Sequence, residues 1–391
     1  MTFEEIRQQE QQNMMPTFSR FPVALASGKG ATATDVSGKQ YIDFTAGIGV
    51  NSLGYCDPEW CAAVSAQAST IQHLSNLYYS PVQTEAAAEL CKISGMSKVF
   101  FANSGAEANE CAIKLARKYG LERLGPGCAE IVTLKNSFHG RTVTTLAATG
   151  QDEFHRSFAP LTVGFSYAEP TMEGVESAVT DKTCAVMVEL IQGEGGVVPM
   201  EKAFVKALRA FCTKKKILMI VDEVQTGVGR TGAFYCYQNY GILPDVVTSA
   251  KGLASGLPIG ACLCTEPLGN VLGPGTHGST FGGNPVVCAG ALVVMKRLSE
   301  PEFLKGVKEK GRYFAEQLGE MPGIAKVRGM GLMIGAKPSR GSAGELAAKC
   351  AEQGLLILTA KDVLRLLPPL VITKEEADRG LSILRQVLKA F

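Results

Sequence analysis

Between Ile217 and Gly260 the chain twice runs through a short apolar, β-rich stretch and stops on a charged residue among glycines. The first stretch is ILMIV, followed by Asp222; the second is DVVTSA, followed by Lys251. Apolar runs of four to six residues between Gly-rich turns describe strands buried on both faces, as in the parallel sheets of α/β proteins. Open α/β sheets hold ligands just beyond the carboxyl ends of their strands. An acid and an amine are thus delivered to one rim.

That pair suits one cofactor in particular. A lysine amine condenses with an aldehyde, and pyridoxal phosphate needs a carboxylate to keep its pyridine nitrogen protonated. A phosphate site is available in SKVFFANSGAEANECAIKLARKYG. Val99–Ala102 reads as a buried strand. Ala108, Cys111, Ala112, Leu115, Ala116 and Tyr119 then keep a 3.6-residue period, so a helix begins near Ser104. Ser104, Gly105 and Ala106 lie at its N-terminus, where free N–H groups and the helix dipole favour a phosphate. The alternative is a plain cap, and only the company of Asp222 and Lys251 favours the anion site.

Composition removes other classes. Apolar residues make up 46% and charged residues 19%, with net charge +2, which gives no field to attract nucleic acid or an anionic membrane. Glu189, Arg365 and prolines interrupt the longest apolar runs, Cys184–Ile191 and Leu364–Ile372, well short of the ~18 residues of a membrane span. The opening MTFEEIRQQEQQNMM is polar and partly acidic, unlike a secretory signal. The twelve cysteines include no CxxC pair, and none of the four histidines stands at metal-ligand spacing from one, so reduced thiols and no metal are expected.

In chain order, residues 1–20 read as an arm, helical or frayed, and Val23–Asp43 as a small meander. Helices are expected at Pro58–Ile71 and Thr84–Ile93. Strands are expected at Glu130–Leu134 and Thr183–Ile191. The first is followed by Phe138 and His139, with Arg141 close by. An aromatic there covers a flat ring or belongs to the core; the guanidinium forks a substrate carboxylate or faces solvent. Glu189 and Glu194 fall at the end of the second strand and in the turn QGEGG, as site residues or solvated ones. The loop GPGTHGSTFGGNP offers the Ser279 and Thr280 hydroxyls to a phosphate. Beyond a helix at Cys288–Leu298, the remainder reads as α+β. It holds helices at Phe303–Leu318 and Gly344–Gln353, one strand around Lys326–Ala336, strands at Leu355–Thr359 and Val363–Leu367, and a final helix from Lys374. Arg365 sits among apolar neighbours and needs an anion, structural or substrate.

NSGAEANE, FHGRT, ELIQGEGGV, IVDEVQTGVGRTG, SAKGLASGLPIGA, HGSTFGGNP and VRGMGLMIG follow one another in an order and spacing that resembles the class III aminotransferases of PLP fold type I. The likeness runs from about Arg20 to the end. It implies an α/β fold: a large domain with a mostly parallel central sheet flanked by helices, and a small α+β domain drawn from both chain ends. The expected division is 1–62 (arm and part of the small domain), 63–289 (large domain) and 290–391 (the rest of the small domain). It further implies that Lys251 holds pyridoxal phosphate and shuttles a proton, that Asp222 pairs with the pyridine nitrogen, and that Gln225 bonds the ring oxygen. Phe138 and Val224 would sandwich the ring, and Ser104, Gly105, Ala106 and Ser279 would serve the phosphate. Thr280 would reach the phosphate of a neighbouring subunit, making a homodimer with shared sites. Arg141 resembles the clamp for a substrate's distal carboxylate and Arg365 that for the α-carboxylate of 2-oxoglutarate or glutamate. Glu194 resembles the gate that covers Arg365 in turn.

The implied activity is cytoplasmic transfer of the ω-amino group of N2-acetylornithine to 2-oxoglutarate, within arginine biosynthesis. Related ω-aminotransferases acting on 4-aminobutyrate, succinylornithine, ornithine or an acylated lysine-pathway amine need the same residues. Some positions depart from the pattern. Tyr55-Cys56-Asp57-Pro58 replaces a His-x-His-Pro, Leu190 a proline, and Gly252 an alanine. Gly47 stands where ornithine ω-aminotransferases carry tyrosine, which favours an Nα-acylated amine.

Overall fold

Along the strand Leu218–Asp222, Met219 and Val221 enter one hydrophobic core while Leu218 and Ile220 enter another. Val186 and Met187 of the neighbouring strand divide in the same way. Alternate side chains of a strand point to opposite faces, so a sheet with a core on both sides needs strands apolar at every position. This is the physical meaning of the unbroken runs in the sequence. The computed structural model describes residues 1–391.

The central sheet has seven strands in the spatial order Lys98–Ala102, Gly260–Cys264, Val246–Ser249, Leu218–Asp222, Thr183–Val188, Glu130–Leu134 and Phe165–Ala168. Gly260–Cys264 runs antiparallel to both its neighbours; every other pairing among Phe165–Ala168, Glu130–Leu134, Thr183–Val188, Leu218–Asp222 and Val246–Ser249 is parallel. Asp222 lies opposite Thr248, so Lys251 emerges just past the end of the adjacent strand. The rim expected from the sequence is therefore formed. No helix is long and apolar enough to cross a membrane.

Two four-stranded sheets lie outside this layer. Leu25–Lys29, Thr32–Asp35 and Gln40–Asp43 form the expected meander, and Leu355–Leu356 joins it parallel to Gln40–Asp43. The second combines Ile324–Met330, Met333–Pro338, Val363–Leu366 and Leu358–Ala360. The arm is helical over Phe3–Asn13, with a Thr2–Glu5 capping box and no buried side chain.

Three expected strands are corrected. Thr183–Ile191 ends at Val188, and Ile191–Gln192 pairs instead with Val198–Pro199. The chain leaves the ladder where the Glu189 carboxylate turns to accept N–H groups from Phe138 and Gly193. The single strand around Lys326–Ala336 is a hairpin. Gly331 turns it at φ 56°, and a Cβ there would lie 2.6 Å from the Arg230 carbonyl oxygen, which only glycine avoids. Leu355–Thr359 is shared between two sheets, its first residues pairing with the meander and Leu358–Ala360 with Val363–Leu366.

Candidate active site

Strand Lys98–Ala102 leads through Asn103 into the helix Gly105–Tyr119, capped by Ser104, whose hydroxyl accepts the Glu107 N–H. The cap uses that donor and leaves the first-turn amides of Gly105 and Ala106 without intrahelical partners. Both residues line a cavity of 440 Å³, together with Asn109, Phe138, Arg141, Asp222, Val224, Gln225 and Lys251. Gly105 is needed there because a Cβ would meet Val224 Cγ1 at 2.6 Å. The helix start is thus seated directly against one wall of a slot whose lining also includes Phe138.

Asp222 is 3% exposed and accepts three hydrogen bonds. Its Oδ2 takes Asn109 Nδ2 and His139 Nδ1, each at 2.8 Å, and its Oδ1 takes the Val224 N–H at 3.0 Å. With the carboxylate accepting, His139 Nδ1 carries the hydrogen. A carboxylate offers about four lone-pair positions, so one remains for a ligand. Lys251 stands on the same cavity at φ 46°, a strained conformation for a residue with a side chain. Its ammonium is held below the ordinary lysine range, first by burial and next by the Arg365 guanidinium.

Arg365, on strand Val363–Leu366, is 4% exposed. Its Nη1 donates to Glu194 Oε1 at 2.5 Å and more weakly to Gln225 Oε1 at 3.4 Å, while its Nε is buried with no partner. Arg141 is exposed and lies over the Phe154 ring at 4.6 Å and the Phe138 ring at 5.7 Å. Arg365 and Glu194 do not line the 440 Å³ cavity, Arg365 touching it through Gln225, and neither do the remaining two expected residues. Ser279 accepts from Asn103 Nδ2 at 3.2 Å without lining the cavity, and Thr280 is exposed on its own chain's surface.

Two residues of the site were not singled out as such. Asn109 donates to both Asp222 and the His139 carbonyl and accepts from Thr248 Oγ1 at 2.6 Å, tying helix, loop and two strands together. The signal was present: Asn109 is a polar residue beside Ala108 on the apolar stripe of its helix, and buried polar groups need partners. Glu189, left open between site and solvent, is buried, lines the cavity, and joins the Phe138 and Gly193 backbones. Burial pushes its carboxyl well above the usual carboxylate range.

A paired N–H cradle, a carboxylate with one free acceptor site, and an amine biased toward its neutral form match the phosphate, pyridine nitrogen and aldehyde of pyridoxal phosphate in turn. The family profile described as aminotransferase class-III matches residues 14–388, and the chain belongs to that family of pyridoxal-phosphate enzymes. Among its relatives, the acetylornithine aminotransferase of Haemophilus ducreyi is 46% identical over 99% of this chain and 99% of its own. The solved N-acetylornithine aminotransferase of Stenotrophomonas maltophilia is 36% identical, with TM-score 0.85 over 98% of each chain. The ornithine aminotransferase of Toxoplasma gondii is 32% identical, with TM-score 0.95 over 100% of this chain and 96% of its own.

Proposed function

We propose that this aminotransferase moves the ω-amino group of N2-acetylornithine to 2-oxoglutarate, giving N-acetylglutamate semialdehyde and glutamate. The observation that carries the reading is Arg365: a buried guanidinium covered by the partly exposed Glu194, with Nε still unpaired. An ω-amine has no carboxylate beside its reacting carbon, whereas the amino acid formed from 2-oxoglutarate has one. A clamp that a neighbouring carboxylate covers and uncovers serves both in one site. Gly47, in left-handed backbone at φ 61°, has no side chain where ornithine enzymes carry tyrosine, which adds to the case for an acylated amine. The relatives named for acetylornithine agree with it.

When bound, the cofactor supplies the electron sink for deprotonating the amine-bearing carbon and the carrier for the amino group. Lys251 Nζ takes the proton from that carbon, and burial beside Arg365 keeps the amine free to do so. Asp222, fixed by Asn109, His139 and the Val224 amide, would hold the proton on the pyridine nitrogen. Gly105 and Ala106 would hold the phosphate, Gln225 the ring oxygen, and Phe138 and Val224 the ring faces. Arg141 receives the distal carboxylate.

We read the protein as a cytoplasmic homodimer of arginine biosynthesis, divided as residues 1–62 and 290–391 around a large domain of 63–289. Ser279 and Thr280 would then serve a phosphate at the subunit interface, Thr280 that of the neighbouring subunit. Exposed apolar side chains on two adjoining loops support this. Asn76 bonds the Ser279 and Gly282 carbonyls, so the loop carrying Leu77, Tyr78 and the fully exposed Tyr79 adjoins the one carrying Phe281.

The test is a half-reaction titration of the cofactor-loaded protein, with N-acetylornithine, ornithine, 4-aminobutyrate and succinylornithine added separately. N-acetylornithine should bleach the visible absorbance fastest, and 2-oxoglutarate should restore it. If ornithine or 4-aminobutyrate works and N-acetylornithine does not, the substrate assignment fails while the family stands.

A further inference from the structure

Glu194 must have somewhere to go when it leaves Arg365. Its turn is flanked by the segments of Asn136 and Ala360, and by Arg328, whose Nε donates to the Gly196 carbonyl oxygen at 2.8 Å. A Cβ on Gly195 would lie 2.8 Å from the Asn136 carbonyl oxygen, and one on Gly196 would lie 3.8 Å from that of Ala360. Lys361, directly after Ala360, extends its ammonium to Asn136 Oδ1, so the two flanking segments are joined across the turn. Asn136, Lys361, Ala360 and Glu194 line one open chamber of 890 Å³. Both Asn136 and Lys361 hold left-handed backbone, at φ 64° and 51°. Asparagine adopts that region readily; lysine does not, so the two-residue turn between Leu358–Ala360 and Val363–Leu366 holds Lys361 there at some strain. The chamber has one other basic side chain, Lys135, which the Glu169 carboxylate occupies at 2.6 Å; Arg328, outside the lining, is committed through Nε to the Gly196 carbonyl. Lys361 has only a neutral partner, which uses one of its three N–H donors.

We propose that Lys361 is the second partner of Glu194: the carboxylate pairs with Arg365 while the ω-amine is bound and with Lys361 while the keto acid occupies Arg365. The proposal rests on the two-substrate reading above. Lys361 is then a positioning residue that lowers the competition between Glu194 and the incoming carboxylate. Without it, Glu194 returns to Arg365 more often, and the keto acid binds more weakly while the amine half-reaction keeps its rate.

The test is a double-mutant cycle on the holoenzyme with Lys361→Met, Glu194→Ala and the pair. Two readouts are needed: KM for 2-oxoglutarate, and Kd by calorimetry for glutarate, a dicarboxylate that binds without reacting. Partly exposed ion pairs imply a rise of roughly threefold to fivefold in both for Lys361→Met, with Lys361→Arg close to wild type. In the Glu194→Ala background, Lys361→Met should change neither. An equal effect in both backgrounds would mean that Lys361 contacts the ligand itself, and no effect in either would mean that it has no part in the gate; both overturn the proposal. Failure of the underlying reading looks different, because wild-type protein would then either not be bleached by N-acetylornithine or not be restored by 2-oxoglutarate.

Discussion

Asp222 and Arg365 are both charged and nearly buried, 3% and 4% exposed, yet they are held in opposite ways. Asp222 accepts three hydrogen bonds from three segments: Asn109 on a helix, His139 after a strand, and the Val224 amide next to its own strand. No donor in this set can leave without the loss of a buried hydrogen bond to a charged group, a cost of ~1.5–3 kcal/mol. Arg365 has one short bond, to a carboxylate that is 30% exposed, a long one to Gln225, and a buried Nε with none. Its partner can leave for water or for another cation. A fixed charge on the cofactor and an exchangeable charge toward substrate are what one site needs to process two different substrates in turn. The degree of hydrogen-bond satisfaction distinguishes the two roles where burial alone does not.

The comparison breaks most directly at Lys251, which stands between the two charges. Lys251→Ala should lower turnover by at least about 10³-fold, the scale of a lost proton-transfer group, with the far-ultraviolet spectrum unchanged. Activity within about tenfold of wild type would mean that the rim is not where the proton moves. A smaller effect sharpens the fixed side alone. Asn109→Leu removes one donor to Asp222 and leaves Thr248 Oγ1 without its acceptor. Hydrogen bonds to a charged group are worth ~1.5–3 kcal/mol, so the Kd for pyridoxal phosphate should rise about ten- to a hundredfold, measured by equilibrium dialysis. The ratio of the two half-reaction rates should stay as in wild type. A shift in that ratio would show that the two charges are coupled after all.

The two sides also differed in how far the sequence revealed them. Asp222 and Lys251 end strands that are apolar at every position, and Ser104 to Ala106 open a periodic helix, so each could be placed from neighbours in the chain. The gate is nonlocal. Glu194 meets Arg365 across 171 positions, and Asn136 meets Lys361 across 225. No periodicity reports such a pairing; for Glu194 and Arg365 it came from family resemblance, and for Lys361 not at all. Local pattern failed in the strands for a related reason. Leu355–Thr359 carries one apolar run, but two sheets from distant parts of the chain compete for its hydrogen bonds. Asn109 is the polar exception beside an apolar helix stripe, and periodicity reports the apolar members while the exception marks the buried site.

The smallest expected effect concerns what the strained rim costs the fold. Burial, then repulsion by Arg365, lowers the Lys251 pKa in the folded protein, against partial attraction from Glu194, Asp222 and Glu189. Between that depressed value and the ordinary lysine value of ~10.4, the unfolded chain binds more protons than the folded one. Stability of the cofactor-free protein therefore rises with pH through this window, and below it a constant penalty remains. Lys251→Met has no such group. It should be more stable than wild type near neutrality, by about 0.5–2 kcal/mol as is usual for relieving a functional site, and the gap should close as pH rises through the window. Urea midpoints of the two apoproteins from about pH 6 to about pH 10, at fixed ionic strength, give the comparison. Working without cofactor avoids stabilisation by ligand binding, which would favour wild type and hide the effect. A difference independent of pH would assign the gain to packing of the methionine. A difference that closes with pH would show that the folded site, by burial first and Arg365 second, depresses the lysine pKa and so keeps the amine ready to accept a proton.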